Sequence, residues 1–131
     1  MQGNNKDQAD RQAVILFADD DELCLDVGVK MLQKLGYTVL NARDGKEALD
    51  VFIKNQNIVD LVILDMKMPH NGGTTFEQIK KINADAKILI ASGYAEDRRI
   101  REMQKHGCCG FIKKPFSISL LSQQVSKALK N

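Results

Sequence analysis

Short apolar runs and longer amphipathic stretches alternate along most of this chain. The apolar or β-branched runs lie at Ala13–Ala18, Tyr37–Ala42, Val59–Leu64, Ala86–Ala91 and Cys109–Lys113. Runs of this length predict β-strands, and the stretches between them have the three-and-four spacing of helices. The pattern therefore predicts an alternation of strand and helix that is repeated five times.

The predicted helices carry apolar faces and recognisable ends. In the first helix, apolar residues recur at steps of three and four from Leu23 to Leu35, and Gly36 follows where a helix would close. Asp44–Glu47 and Thr74–Glu77 have the spacing of capping boxes at the heads of the second and third helices. The other apolar faces are Ala48, Leu49, Phe52 and Ile53 in the second helix, Phe76, Ile79 and Ile82 in the third, and Leu120, Leu121, Val125 and Leu129 in the last.

This alternation predicts the topology of the sheet. Strands that alternate with helices pair in parallel, because a right-handed crossover lays each helix back on the sheet. Uninterrupted apolar runs fit strands that are covered on both faces. We therefore predict an α/β fold with a doubly wound, five-stranded parallel sheet in the flavodoxin-like order 2-1-3-4-5. Such a sheet binds ligands at the carboxyl ends of its strands, in the crevice between the first and third strands.

Composition limits the size and partners of the domain. A chain of 131 residues with 44% hydrophobic residues can form one domain with a substantial core. We assign residues 13–131 to that domain and the patternless residues 1–12 to a flexible N-terminal tail. The formal net charge of +2 comes from interleaved charges, which does not favour binding to nucleic acid or to a membrane.

Targeting signals and cysteines indicate the compartment. The longest apolar run of the first half, Ala13–Ala18, is far shorter than the roughly 20 residues of a membrane-spanning helix. The first dozen residues are polar and lack the apolar segment of a secretory signal. Cys24, Cys108 and Cys109 form no CxxC pair, which is typical of reduced thiols. We therefore expect a cytoplasmic protein.

Polar side chains follow several predicted strands at the rim where that crevice lies. Asp19 and Asp20 follow the first strand, Asp65 the third, Ser92 the fourth and Lys114 the fifth. Taken alone, the acidic stretch after the first strand is also typical of a solvated turn or a helix N-terminus. Three converging carboxylates would disfavour one another's ionised forms, and a divalent cation such as Mg²⁺ would relieve this. Together these groups could hold a metal ion and a phosphoryl group.

These motifs, taken in order, resemble those of the receiver domain of two-component response regulators, a CheY-like domain. The matching residues are Asp19-Asp20 after "ILFA", Asp65 in "LVILDMKMP", Ser92 in "ILIASGYA" and Lys114 in "GFIKKPF". The resemblance extends from about Ala13 to the C-terminus. Within the family, "ILIASGYAED" and "GFIKKPFS" resemble receivers attached to hybrid sensor histidine kinases more than those of DNA-binding regulators.

The resemblance implies a phosphoacceptor and a metal site. It assigns Asp65 as the phosphoacceptor. It also implies that Mg²⁺ is bound by Asp20, Asp65 and the backbone carbonyl of Lys67, and by Asp19 either directly or through water. The expected cofactor is therefore Mg²⁺, bound by oxygen ligands alone.

The resemblance also implies residues that bind the phosphoryl group and transmit its presence. Ser92 stands at the switch hydroxyl position and Lys114 at that of the phosphate-binding lysine. Phe111 falls at the aromatic switch position, and the bond between Lys114 and Pro115 is a candidate cis peptide.

The function implied by the resemblance is regulatory rather than enzymatic. The domain would take a phosphoryl group from a sensor histidine kinase or a histidine phosphotransfer protein and lose it by its own hydrolysis. Phosphorylation would switch the surface of the fourth helix, fifth strand and fifth helix, with dimerisation of the active form as one outcome. No direct contact with nucleic acid is expected.

Three alternatives remain open from the sequence. A pseudo-receiver would signal by binding alone, and a flavodoxin-like module would bind a ligand without phosphorylation. A phosphohydrolase with an aspartyl intermediate usually has a second Asp two residues after the nucleophile, where this chain has Lys67.

Overall fold

The computed structural model describes residues 12–67, 72–93 and 98–130. Its strands form one sheet in the order β2-β1-β3-β4-β5, and every neighbouring pair is parallel. The predicted fold class and strand order are confirmed. The strands are β1 (Val14–Ala18), β2 (Thr38–Ala42), β3 (Leu61–Asp65), β4 (Ile88–Ser92) and β5 (Gly110–Lys113).

A helix follows each strand, and the helices cover both faces of the sheet. They are α1 (Glu22–Lys34), α2 (Gly45–Lys54), α3 (Gly72–Ile82), α4 (Arg98–Lys105) and α5 (Ile118–Lys130). One apolar cluster joins the sheet to α2, α3 and α4, and a second cluster joins it to α1 and α5. Within the described ranges, no helix combines the length and apolar character needed to cross a membrane.

The strand boundaries differ slightly from the predicted ones. β3 and β4 each begin two residues later and end one residue later than the apolar runs. Asp65 is paired with Ala91, and Ser92 is paired with Lys113, so both polar residues end their strands within the ladder. The tail assigned to residues 1–12 lies outside the described residues except for Gln12, and its boundary stays a prediction.

The end of α1 agrees with the prediction from Gly36. This glycine has a φ of +99°, which residues with a side chain rarely adopt. Its N–H donates to the carbonyl of Gln33 at 3.0 Å, and the N–H of Tyr37 donates to the carbonyl of Leu32 at 3.1 Å. These two bonds satisfy carbonyls of the last helical turn, so the chain leaves α1 directly into β2.

Only one of the two predicted capping boxes begins its helix. Asp44 caps α2, since its side chain accepts the N–H of Glu47 at 2.8 Å. The carboxylate of Glu47 reaches back to the N–H of Arg43, one residue before the cap. The prediction for Thr74 was wrong, because α3 begins at Gly72 and Thr74 lies inside its first turn.

Close packing sets the position of α1 over the sheet. A Cβ atom added at Gly28 would lie 2.3 Å from the ring of Phe17, which is far inside van der Waals contact. Phe17 is on β1, only two residues before Asp19. The absence of a side chain at Gly28 therefore lets α1 lie close to the strand that leads into the acidic segment.

Candidate functional site

The carboxyl ends of four neighbouring strands bring polar side chains together. Asp19 directly follows β1, Asp65 ends β3, Ser92 ends β4 and Lys114 directly follows β5. Asp19, Asp65 and Ser92 are almost fully buried, whereas Asp20 is exposed. Burial of two carboxylates in one crevice is costly unless they meet positive charge or hydrogen-bond donors.

Lys114 supplies positive charge to both buried carboxylates. Its Nζ atom lies 2.9 Å from Oδ2 of Asp19 and 3.5 Å from Oδ2 of Asp65. Partial burial lowers the pKa of Lys114, but the hydrogen bond to Asp19 and the charge of Asp65 outweigh it and raise the pKa overall. The ammonium group therefore stays charged and lies nearer to Asp19 than to the predicted phosphoacceptor.

One ammonium group does not compensate both carboxylates fully. The pKa of Asp65 is raised to about 6, firstly by burial and secondly by the charge of Asp19. The charge of Lys114 and the backbone N–H of Lys67, which donates to Oδ1 of Asp65 at 3.3 Å, act in the opposite direction. An ionised Asp65 is thus held in the folded chain at a cost in free energy.

The arrangement of oxygen atoms fits a magnesium ion. Carboxylate oxygens of Asp19, Asp20 and Asp65 all lie within 4.8 Å of one another. Mg²⁺ favours oxygen ligands, and its positive charge would offset the effects of burial and of the Asp19 charge that raise the pKa of Asp65. The side chain of Lys67 is exposed, and the backbone N–H of this residue donates to Asp65. The role of its carbonyl as a metal ligand stays a prediction.

A small hydrogen-bond network shapes the acidic segment after β1. The backbone N–H of Asp21 donates to Oδ1 of Asp19 at 2.9 Å, so both oxygens of Asp19 are engaged. Asp21 is the N-cap of α1, and its carboxylate accepts the N–H of Cys24 at 3.0 Å. This bond lowers the pKa of Asp21. The sequence predicts only a solvated turn or a helix N-terminus for Asp21, and the structure shows that it is the N-cap, two residues before the first apolar residue of the helical pattern, Leu23.

The residues assigned to switching lie on the β4 and β5 side of the site. Ser92 is buried, and Phe111 is half-buried on β5, where it packs against the apolar cluster of α2, α3 and α4. The Lys114–Pro115 peptide bond is cis. The roles of Ser92 and Phe111 in switching stay predictions.

Comparison with known proteins identifies the family of this site. Residues 15–126 match the family model described as the response regulator receiver domain. Among curated proteins, the sensor kinase CckA of Brucella abortus is 36% identical over 119 residues, which cover 90% of this chain and 13% of that protein. The chain thus spans about an eighth of the length of that relative.

Solved structures agree with the family match. A response regulator receiver domain protein from Clostridium thermocellum is 32% identical with a TM-score of 0.85, covering 90% of this chain and 94% of that one. The response regulator TrrA from Thermotoga maritima, solved in complex with Mg²⁺-BeF, is 30% identical with a TM-score of 0.78, covering 89% and 99%. The chain therefore belongs to the response regulator receiver domain family of two-component signalling.

Proposed function

We propose that this domain is a phosphoacceptor in which Asp65 takes a phosphoryl group from the phosphohistidine of a sensor histidine kinase or a histidine phosphotransfer protein. The observation that carries the proposal is the position of Lys114. Its ammonium group lies 3.5 Å from Asp65 and 2.9 Å from Asp19, at a rim where three carboxylates converge. This combination provides a nucleophile with both positive charge and a metal site beside it.

The chemistry follows from the charges around Asp65. With a pKa of about 6, this carboxylate is mostly ionised at neutral pH and is able to attack phosphorus. The new bond joins Oδ of Asp65 to phosphorus, the bond from phosphorus to the histidine nitrogen breaks, and its electron pair remains on the imidazole. Lys114, already beside Asp65, offsets the negative charge of the transferred oxygens.

Asp19, Asp20 and Asp65 are the side chains that would hold Mg²⁺, with the carbonyl of Lys67 as a further ligand. The bound ion supplies positive charge that neutralises the phosphoryl oxygens. The crystal structure of TrrA in complex with Mg²⁺-BeF supports this part of the proposal.

The switch would operate through Ser92 and Phe111. Ser92 lies at the end of β4, next to the strand of Asp65, and its hydroxyl can donate a hydrogen bond to a phosphoryl oxygen. Movement of this side chain would favour a different packing of Phe111 and would shift the population of the surface formed by α4, β5 and α5. Dimerisation of the phosphorylated form through this surface is part of the proposal.

A cytoplasmic location is also part of the proposal, and the three free thiols support it.

Intact mass measurement with a small phosphodonor tests the proposal. After incubation with acetyl phosphate and Mg²⁺, the wild type should gain the mass of one phosphoryl group. Asp65→Asn should gain none, and EDTA should prevent the gain in the wild type. Asp60→Asn is the matched control, since this aspartate lies one residue before β3 at the opposite edge of the sheet. Its phosphorylation should equal that of the wild type.

Two outcomes would contradict the phosphoacceptor role. Equal gain of mass by Asp65→Asn would move the acceptor to another residue. No gain from acetyl phosphate, from a phosphorylated histidine kinase or from a phosphotransfer protein would favour a pseudo-receiver that signals by binding alone.

A further inference from the structure

The acidic segment after β1 is held by hydrogen bonds on both sides of Asp20. Before it, the backbone N–H of Asp19 donates to the carbonyl of Ala42 at 3.1 Å, which ties the segment to β2. After it, the backbone N–H of Asp21 donates to Oδ1 of Asp19 at 2.9 Å. Asp20 is exposed, so its place beside the two buried carboxylates depends on the backbone that these bonds hold.

The side chain of Asp21 joins this segment to α1. Its carboxylate accepts the N–H of Cys24 at 3.0 Å, and its carbonyl accepts the N–H of Leu25 at 2.9 Å. The helix in turn lies tightly on the sheet through the contact of Gly28 with Phe17. The cap therefore holds the backbone at Asp20 in a fixed position relative to α1.

We propose that Asp21 is a positioning residue for the metal site, which acts by capping α1 and thereby holding the carboxylate of Asp20 beside those of Asp19 and Asp65. The proposal rests on the proposed function, because it concerns the same metal site. A segment that is ordered before the ion binds loses less conformational entropy on binding, so loss of the cap weakens binding of the ion.

Three neutral substitutions separate capping from charge. Asp21→Ser, Asp21→Asn and Asp21→Ala all remove the negative charge, but only serine and asparagine can accept the N–H of Cys24. The measurement is the dissociation constant of Mg²⁺ by isothermal titration calorimetry, without any phosphodonor. We expect Asp21→Ala to bind Mg²⁺ about fivefold more weakly than Asp21→Ser or Asp21→Asn, the ratio that loss of one typical capping bond would produce.

The N-cap of α2 provides the control for a general loss of stability. Asp44 accepts the N–H of Glu47 at 2.8 Å, which matches the geometry of the cap at Asp21. Asp44→Ala should lower the midpoint of thermal unfolding about as much as Asp21→Ala does, yet its dissociation constant for Mg²⁺ should equal that of the wild type.

Three results would overturn the inference. Equal affinities of Asp21→Ala and Asp21→Ser would show that the cap does not position the site. Equal weakening by Asp44→Ala would show that only global stability matters. If the wild type itself binds no Mg²⁺, the metal part of the proposed function fails together with this inference, whereas the first two results leave the proposed function standing.

Discussion

Charged side chains have different partners at the amino edge of the sheet, where the strands begin, and at the carboxyl edge, where they end. At the amino edge, Oδ2 of Asp60 accepts the backbone N–H of Val14 at 2.8 Å, and Nζ of Lys87 donates to the carbonyl of Leu129 at 2.8 Å. Each of these charges meets a backbone group of opposite polarity. At the carboxyl edge, the buried carboxylates of Asp19 and Asp65 share one ammonium group, as described above.

This difference separates a structural role from a functional one. The charges at the amino edge satisfy backbone groups where elements begin or end, which stabilises the fold. At the carboxyl edge, burial and, second to it, the charge of Asp19 raise the pKa of Asp65, so an ionised carboxylate there is costly. A ligand that brings positive charge would remove this cost. The site would therefore make the ligand-free domain less stable but bind a cation more tightly.

The largest expected effect is a gain of stability when the charge of Asp65 is removed. In EDTA at pH 7.5, Asp65→Asn should raise the free energy of unfolding by up to about 3 kcal/mol, at about 1.36 kcal/mol for each pKa unit. The reason is that the pKa of this group is about 6 in the folded chain against an ordinary value of 3.8. Urea denaturation of the two proteins measures the difference.

The pH dependence of that gain follows from its sign. A folded-state pKa above the unfolded value means that the folded chain binds the proton more tightly, so protonation stabilises it. The advantage of Asp65→Asn should shrink as the pH falls from about 6 towards 3.8 and should disappear below that range. Asp60→Asn should show no such pH-dependent gain. A variant that is no more stable than the wild type at pH 7.5 would rule out the cost of an ionised, buried Asp65 that is described here.

Removal of the shared ammonium group should have the next largest effect. Lys114→Met leaves Asp19 and Asp65 without their cation and should lower the free energy of unfolding in EDTA by about 2 kcal/mol, less than for a fully buried pair. Lys87→Met is the matched variant at the amino edge and should cost about 1 kcal/mol, the value of one hydrogen bond. Equal losses in urea denaturation would mean that the two lysines have equivalent roles.

Magnesium should stabilise the domain through the carboxyl edge only. At ten times its dissociation constant, Mg²⁺ should raise the free energy of unfolding by about 1.4 kcal/mol. Asp60→Ala should retain this gain in full, whereas Asp65→Asn should lose most of it because one ligand is missing. Thermal unfolding with and without Mg²⁺ gives the result, and an equal gain in both variants would place the ion elsewhere.

The smallest effect is expected at the amino edge. Asp60→Ala removes the acceptor of the Val14 N–H and should lower the free energy of unfolding by about 1 kcal/mol at pH 7.5. Its mass gain with acetyl phosphate should match that of the wild type. A loss of phosphorylation in this variant would show that the two edges are not independent.

Some features of the fold and the site could be predicted because they depend on local patterns. Gly36 and Asp44 were identified as helix ends from spacing alone, and the structure confirms both. The prediction that Thr74 begins α3 was wrong, because the spacing of a capping box also occurs inside a first helical turn. For Asp21 the sequence left a solvated turn and a helix N-terminus open, and the structure shows the second, because its side chain caps α1.

By itself, the sequence determined the alternation of strands and helices, the strand order and the set of polar residues at the carboxyl edge. These follow from periodicity and chain order, which are local properties and general rules of connection. Only the tertiary structure decided that Lys114 lies nearer to Asp19 than to Asp65, and that the N–H of Asp19 bonds to the carbonyl of Ala42 at the end of β2. Such distances depend on how strands and helices distant in sequence pack together, and spacing along the chain does not encode them.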